Sequence, residues 1–353
     1  MSEDLPDEAY AIALALMPDF GPAKLRTLFA EASPPAAWAS ITGATSDARR
    51  EMENQWRRHC DHGITVLLED SALFPERLVR RQVAPPVLFC LGNPRTLSDK
   101  PTAAIIGTRS PTRYGIGVAA QLATELSAAG VSVVSGLALG IDGAAHEGAC
   151  GAGAPPIGVV AGGLDEPYPM RHARLWERVS NAGVIVSEAP AGARAEKWRF
   201  PVRNRLMAAL SDVVVVVESR HHSGSRHTVS AAVTLNIPVG AVPGSIRSAT
   251  SEGTNELLSH CDFPVCSVTD ILVCLARRGC NVTIPADAKP GRQPTAPVPA
   301  SEQQLYAALT YEPTSLDELA RLTGLDFAAL CGGLERLAQA GFARDAGGWW
   351  ERI

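Results

Sequence analysis

The sequence predicts an α/β fold: a Rossmann-like, doubly wound and mostly parallel sheet, with a small all-helical domain before it and a winged helix after it. Between residues 101 and 280, short apolar runs rich in Val and Ile alternate with amphipathic segments of helical length. Buried parallel strands separated by helices have this pattern. The two flanks lack such alternation and show helical spacing of apolar residues instead.

The central strands are predicted from apolar runs that are continuous rather than alternating, because a strand covered on both faces has no solvent side. The sequence contains six such runs, at residues 103–106, 131–134, 157–160, 184–186, 213–217 and 238–242. The segments between them are long enough for the crossover helices that parallel strands require.

The N-terminal flank is predicted to be helical over residues 9–60. A turn from Pro18 to Lys24 interrupts it and resembles the turn of a helix-hairpin-helix element, whose backbone amides bind a DNA phosphate. Asp19 stands where that motif has its first glycine, and its negative charge would repel phosphate. We therefore expect a structural role for this segment rather than direct DNA contact.

The C-terminal flank begins after a segment with five prolines, residues 283–300, which is predicted to be a linker. Helical patterns follow at residues 302–309, 315–323 and 327–340, and Gly347-Gly348-Trp349-Trp350 ends the pattern with a small hairpin. Three helices and a hairpin indicate a winged helix-turn-helix. Ser315 and Glu318 have the spacing of a capping box. The predicted domains are residues 1–63, 64–282 and 301–353, with the linker at 283–300.

Composition excludes several classes of protein. No apolar run approaches the roughly 18–20 residues that a membrane helix needs, and the first ten residues hold four acids and no basic residue, unlike a signal peptide. We expect a cytoplasmic protein with no membrane partner. The eight cysteines form no CxxC pair, and His59-Cys60-Asp61-His62 fits a polar turn better than a metal site. No metal and no cofactor are expected.

The ends of the predicted strands share small residues, and such ends meet at one edge of a doubly wound sheet. Backbone amides, hydroxyls and helix N-termini at this edge would bind an anion, which indicates a phosphate-bearing ligand. The segments are Gly107-Thr108-Arg109-Ser110, Ser135-Gly136-Leu137-Ala138, Ala161-Gly162-Gly163, Ser187-Glu188-Ala189, Pro243-Gly244-Ser245 and His221-His222-Ser223-Gly224-Ser225.

A nicotinamide dinucleotide is the first rival ligand. Gly115-Ile116-Gly117-Val118-Ala119-Ala120 imitates the dinucleotide fingerprint, but it lies eight residues past Gly107, inside a predicted helix. The second strand ends in Ser135-Gly136, where a ribose-binding site needs an acid. Both features argue against a nicotinamide site.

A basic segment points to a different ligand. Residues 171–226 hold ten Lys or Arg and five Asp or Glu, and Lys197 to Arg205 interleaves basic with aromatic residues. Cations that pair with phosphates and rings that stack on bases are what single-stranded DNA requires. The same pattern also fits buried rings beneath a solvated basic face, and the pattern alone does not separate the two interpretations.

Taken together, the chain resembles the DNA-processing protein A (DprA/Smf) family. The resemblance extends over nearly the whole chain and rests on motifs in a fixed order: Ala104-Ile105-Ile106-Gly107-Thr108-Arg109, Ser135-Gly136-Leu137-Ala138-Leu139-Gly140-Ile141-Asp142 with Ala145-His146, Gly163-Leu164-Asp165 with Tyr168-Pro169, Ser187-Glu188, Phe200-Pro201-Val202-Arg203-Asn204-Arg205, Ser223-Gly224-Ser225 with Thr228, Val242-Pro243-Gly244, and Gly253-Thr254-Asn255.

This resemblance implies a non-catalytic protein of natural transformation that binds single-stranded DNA, forms homodimers through the Rossmann-like domain and loads the RecA recombinase. It implies that Arg109 grips the strand, that Lys197 binds phosphate and that Phe200 stacks on a base. The remaining residues of the implied nucleic-acid site are Gly107, Thr108, Ser135, Gly136, Arg203, Asn204, Arg205, Ser223, Gly224 and Ser225.

The sequence departs from the family pattern in four places: Leu139 replaces an arginine, His172 an asparagine, Arg226 a leucine and Val229 an alanine. His146 and Asp142 are four residues apart on one helix, and we expect a mutual hydrogen bond there rather than an acid–base pair. An enzyme acting on a nucleotide through Glu188 or Glu218 is the alternative function.

The C-terminal domain is not expected to bind duplex DNA by itself. Residues 301–353 contain eight acids and four arginines, and the helix predicted at residues 327–340 carries one basic residue, Arg336, beside Glu335. A recognition helix presents several Arg, Lys, Asn or Gln side chains to the major groove. A regulatory or protein-binding role fits this composition better.

Overall fold

The computed structural model describes residues 5–18, 20–221, 223–284, 298–345 and 348–352. Asp19, His222, Gly347 and most of the predicted linker therefore lie outside the described residues. Four helices come first: α1 Asp7–Leu16, α2 Pro22–Glu31, α3 Pro34–Thr42 and α4 Ser46–Asp61. They confirm the helical N-terminus predicted from the sequence.

The central region alternates strands and helices, as the apolar runs predict. Its elements are β1 Ile64–Leu68, α5 Glu76–Arg80, β2 Val87–Gly92, α6 Thr96–Asp99, β3 Thr102–Ile106, α7 Arg113–Ala128, β4 Ser132–Ser135, α8 Ile141–Ala149, β5 Ile157–Val159, α9 Ala173–Ala182, β6 Val184–Ser187, α10 Arg199–Ala209, β7 Val213–Val216, α11 Ser225–Thr234, β8 Val239–Ala241, α12 Glu252–Leu257, β9 Phe263–Pro264 and α13 Val268–Arg277.

These strands form one sheet in the order β1-β2-β6-β5-β4-β3-β7-β8-β9. All neighbours from β6 to β9 are parallel, whereas β1 and β2 join the β6 edge antiparallel. The sequence analysis did not identify β1 and β2. The chain leaves β3 toward β4 on one side and returns to β7 on the other, so the topological switch point lies between the ends of β3 and β7.

Burial on both faces explains why the strands are continuous apolar runs. Strand β3 sends Ala103 and Ile105 to the face covered by α7, α8 and α13, and Ala104 and Ile106 to the face covered by α10 and α11. All four side chains are buried, because successive strand residues point to opposite faces. The predicted fold class is confirmed.

The N-terminal helices pack directly on the sheet. Ala11 and Ile12 of α1 share a buried cluster with Phe89 of β2. His59 of α4 is fully buried, and its Nε2 accepts a hydrogen bond of 3.0 Å from the backbone of Ala191. The helices therefore share one core with the sheet, and a boundary at residue 63 stays a prediction.

The C-terminal domain contains α14 Gln303–Ala308, β10 Thr314–Ser315, α15 Leu316–Thr323, α16 Phe327–Gln339, β11 Ala343–Asp345 and β12 Trp349–Arg352. The three strands form a separate sheet, and the core of the domain is a buried cluster made mainly of leucines from the helices. The Ser315 hydroxyl accepts from the backbone N–H of Glu318 at 3.2 Å, which is one half of the predicted capping box.

Candidate functional site

The candidate site lies at the switch point, where the end of β3 meets the end of β7. The backbone N–H of Thr108 donates to the carbonyl oxygen of Glu218 at 2.8 Å. A Cβ on Gly107 would lie 2.6 Å from Ile141 and 2.7 Å from that same carbonyl, so only glycine fits this approach. The tight turn places the exposed side chain of Arg109 on the rim of the sheet.

A cleft beside Arg109, which we call the first cleft, has a volume of about 90 Å³. The Arg109 guanidinium carbon lies 5.2 Å from the centre of the Phe200 ring, and the Tyr168 and Phe200 rings are 6.4 Å apart. The cleft is lined by Arg109, Gly136, Ala138, Leu139, Val160, Ala161, Gly162, Gly163, Tyr168, Pro169, Trp176, Phe200 and Arg203. It combines an exposed cation with two aromatic rings.

The floor of the first cleft contains a buried ion pair. Nη1 of Arg203 lies 3.8 Å from Oδ2 of Asp142, and both side chains are at least 90% buried. Gly136 has no Cβ, and a Cβ there would collide with the Arg203 guanidinium. Burial raises the pKa of Asp142, and the Arg203 charge opposes that rise. Arg203 therefore supports the rim from below and shows little surface to a ligand.

His146 does not form the hydrogen bond to Asp142 that the sequence analysis predicted, because Asp142 faces Arg203 instead. The His146 ring is fully buried, and among the described residues neither ring nitrogen has a hydrogen-bond partner of good geometry. Burial is the main reason that the pKa of His146 falls to about 4; the nearby backbone of Ser135 opposes this fall, whereas the charges of His172 and Arg203 add to it. His146 is a neutral core residue beneath the site rather than an acid or base within it.

Lys197 precedes α10, and the turn Ser223-Gly224-Ser225, which we call the serine turn, is bonded to the middle of that helix. Lys197 is exposed, and no ion pair holds it among the described contacts. Nδ2 of Asn204 donates to the carbonyl of Gly224 at 3.2 Å, which ties the turn to α10. The hydroxyls of Ser223 and Ser225 are 2.5 Å apart and bond one another, so they stabilise the turn.

Of the thirteen residues of the implied site, four line the first cleft, namely Arg109, Gly136, Phe200 and Arg203, and Arg205 and Ser135 are among the nine that do not. Arg205 pairs instead with Oε1 of Glu188 at 3.0 Å. Ser135 is buried, and its hydroxyl donates to the carbonyl of Ile105 at 2.6 Å, so it fixes β4 against β3. Both residues hold the scaffold of the site in this structure.

Glu218, one of the two acids considered for catalysis, is occupied by structural bonds. Its carboxylate accepts from the backbone N–H of Thr112 at 2.8 Å and from the Thr112 hydroxyl at 2.6 Å. These bonds hold the carboxylate at the N-terminus of α7, where the helix dipole favours negative charge. The Gly115-Ile116-Gly117 sequence lies within α7, as predicted, and supplies no strand-end loop.

The departures from the family pattern fall in different environments. Leu139 lines the first cleft, which is therefore less basic than an arginine would make it. Nδ1 of His172 lies 2.9 Å from the carbonyl of Leu137, a residue with a left-handed φ of 53°. Arg226 pairs with Glu256 at 3.6 Å and donates to the carbonyl of His221. Arg226 thus does not restore the positive charge absent at position 139.

Two exposed aromatic residues were left out of the predicted site. Tyr168 is 55% exposed beside Phe200, and Trp198 is 51% exposed two residues before it. The Tyr168-Pro169 pair and the basic–aromatic run were both noticed in the sequence, but only the fold brings them to the same rim. Within the described ranges there is no cluster of His, Cys, Asp and Glu suited to a metal, and no helix could cross a membrane.

Two family models match the sequence. The model described as DNA recombination-mediator protein A matches residues 65–276, and the DprA winged helix domain matches residues 289–343. A Mycobacterium tuberculosis protein carrying the DprA name is 39% identical over 269 residues, which cover 76% of this chain and 68% of that protein. Bacillus subtilis DNA processing protein DprA is 35% identical over 64% of this chain and 76% of its own length.

Solved structures agree with these matches. DprA from Streptococcus pneumoniae superposes with a TM-score of 0.61 at 28% identity and covers 76% of this chain and 93% of that one. DNA processing protein A from Helicobacter pylori, which binds single-stranded DNA, superposes with a TM-score of 0.54 at 31% identity and covers 61% of this chain and 96% of that one. The chain belongs to the DNA recombination-mediator protein A, or DprA, family.

Proposed function

We propose that this protein is a non-catalytic single-stranded-DNA-binding protein of natural transformation that holds strands along the rim of its central sheet. The observation that carries the proposal is the exposed Arg109 over the half-buried Phe200 ring, with the exposed Tyr168 ring beside it and the exposed Lys197 three residues before Phe200. Arg109 and Lys197 have no ion-pair partner among the described residues, and Phe200 and Tyr168 lie beside Arg109. The similarity to the Helicobacter pylori protein, which binds single-stranded DNA, supports the same ligand here.

The chemistry of the rim suits a single strand better than a duplex. Unpaired bases expose their faces, and stacking on an aromatic ring contributes roughly 1–3 kcal/mol per base whatever the base. Arg109 and Lys197 would pair with the backbone phosphates and release counterions, so affinity would fall as salt rises. A duplex keeps its bases stacked and gains only the phosphate contacts.

Two observations favour this proposal over an enzyme or a dinucleotide-binding protein. The first cleft, at about 90 Å³, is much smaller than the ≈ 300–1,000 Å³ of ordinary cofactor and substrate sites. Both carboxylate oxygens of Glu218 are already bonded to Thr112. A catalytic carboxylate must instead be able to reach the proton that it transfers.

The proposal includes two partners, a second copy of this chain bound through the Rossmann-like domain and the RecA recombinase. Membership in a recombination-mediator family supports the recombinase. Sedimentation velocity at micromolar concentration should show a dimer. Adding the protein to a single strand that is already coated with a single-strand-binding protein should shorten the lag before RecA filaments grow. An unchanged lag would contradict loading.

The central test is fluorescence anisotropy with the full chain and a labelled single-stranded oligonucleotide, at low and physiological salt. We expect tight, salt-sensitive binding that the matching duplex competes for poorly. Equal competition by the duplex, or no binding, would contradict strand holding. In that case a screen of free nucleotides for binding and turnover would test the enzyme alternative.

A further inference from the structure

A second cleft lies against the first one and is open to the N-terminal helices. Six of its lining residues define it: Phe20, Pro22, Glu188, Trp198, Arg199 and Val202. Val160, Ala161 and Arg203 line both clefts, so the two clefts are neighbours. A strand held at Phe200 would need to continue only a short distance along α10 to reach Trp198.

The walls of the second cleft repeat the chemistry of the first. Nζ of Lys24 lies 3.8 Å from the centre of the Phe20 ring, and the Arg199 guanidinium carbon lies 4.4 Å from the centre of the Trp198 ring. The cleft is therefore lined by two aromatic rings, each with a cation against it, although only Arg199 of these two cations lines the cleft itself. Flat apolar surfaces beside cations suit a base and its phosphate.

Glu188 adds a polar group that the first cleft lacks. Its side chain is only 8% exposed, and Oε1 holds Arg205 at 3.0 Å. Oε2 is buried and has no hydrogen-bond partner within the described part of the chain. A buried acceptor left without a donor is destabilising, and more so when it is charged, so a donor from a ligand would be favoured here. Burial also raises the pKa of Glu188, and a donor would favour its ionised form.

We propose that the second cleft binds an unstacked base carrying an exocyclic amino group, on the same strand that the first cleft holds. Trp198 stacks on the base, and Oε2 of Glu188 accepts a hydrogen bond from the amino group. Cytosine, adenine and guanine present such a group, whereas thymine has no amino group and presents carbonyl oxygens that a carboxylate repels. This inference rests on the proposed function and adds a base preference to it.

The test compares the affinities of oligo-dC and oligo-dT of equal length for the full chain. We expect the wild type to bind oligo-dC about 5- to 10-fold more tightly, as one charge-assisted hydrogen bond of about 1–1.4 kcal/mol gives. Glu188→Gln keeps the bond to Arg205 through its oxygen and places an amide N–H₂ where Oε2 was. The preference for oligo-dC should then vanish or reverse, while oligo-dT affinity does not fall.

Arg109→Ala is the matched control, because it should weaken binding of both oligonucleotides and leave their ratio unchanged. Equal affinity of the wild type for oligo-dC and oligo-dT overturns the base preference but not strand holding. So does a preference for oligo-dC that is unchanged in a Glu188→Gln variant of wild-type thermal stability. Failure of the wild type to bind either oligonucleotide removes both proposals.

A second measurement uses the wild type alone and is independent of how the variant folds. Irradiation of a bound oligonucleotide containing 5-iodocytosine should crosslink it to Trp198 or Phe20, as mapped by mass spectrometry of the digested protein. Crosslinks confined to Phe200 and Tyr168 would overturn the second site.

Discussion

The rim of the central sheet and the C-terminal winged helix differ in the partners of several of their arginines. On the rim, Arg109 is exposed, lies over the Phe200 ring and has no ion-pair partner among the described residues. In the winged helix, Arg336 pairs with the buried Glu302 at 2.8 Å, Arg344 pairs with Glu351, and Arg352 lies 4.0 Å from the Tyr306 ring. Accessible cations, rather than the net charge of −5, indicate where a polyanion can bind.

The two regions also differ beneath their surfaces. The buried acids of the winged helix, Glu302 and Glu351, each have an arginine partner. Under the rim, His146 is buried with neither ring nitrogen bonded. The rim should therefore respond to pH in a way that the winged helix does not.

The largest expected effect is a loss of stability in acid that depends on His146. Its folded pKa of about 4 lies below the ordinary 6.5, so the unfolded chain binds more protons between these values. The free energy of unfolding should therefore fall as pH falls from 6.5 to 4, by about 3 kcal/mol from this group. Urea unfolding of the wild type and of His146→Gln between pH 4 and 6.5 measures this change in the free energy of unfolding.

The difference in unfolding free energy between the wild type and the variant isolates the contribution of His146. Asp142 and Glu188 have raised pKa values and contribute to the pH dependence with the opposite sign. Because both acids are present in both proteins, their contributions cancel in the difference. Parallel stability curves for the wild type and His146→Gln would show that the ring finds a partner that stabilises its charged form.

The next effect is loss of strand binding when the two rim cations are removed. Arg109→Ala with Lys197→Ala should weaken binding about 100-fold at low salt, because each removes a charge-assisted contact of about 1.5 kcal/mol. The slope of log affinity against log salt should flatten by about 1.4, since single strands give roughly 0.7 per phosphate contact. Anisotropy titrations at four salt concentrations measure both quantities.

Arg50→Ala with Arg321→Ala is the matched control, since it removes the same charge from exposed positions in the N-terminal helices and the winged helix. Its affinity should change less than 2-fold. Equal losses in the two double variants would mean that net charge, not the rim, determines binding.

The smallest effect concerns stacking. Phe200→Ala should weaken single-strand binding about 10-fold, within the roughly 1–3 kcal/mol of a base on a ring, and leave the salt slope unchanged. Phe327→Ala is the control, because Phe327 is 71% exposed on the winged helix. A comparable loss of single-strand affinity in Phe327→Ala would mean that the winged helix also contacts the bound strand.

The sequence by itself determined the fold class, because continuous apolar runs occur only where both faces of a strand are buried. It also singled out Arg109, Lys197 and Phe200 as candidate binding residues, because strand ends and a basic–aromatic run are local features, and their roles stay a prediction. It missed the antiparallel strands β1 and β2 at the edge of the sheet.

Only the tertiary structure decided which neighbours the polar residues have. It pairs Asp142 with Arg203 rather than His146, and Arg205 with Glu188 rather than with the first cleft. It also brings Phe20 beside Trp198 across a long separation in sequence. Periodicity reports whether a side chain is buried, whereas the partner of a buried charge depends on contacts between distant elements, which no local pattern records.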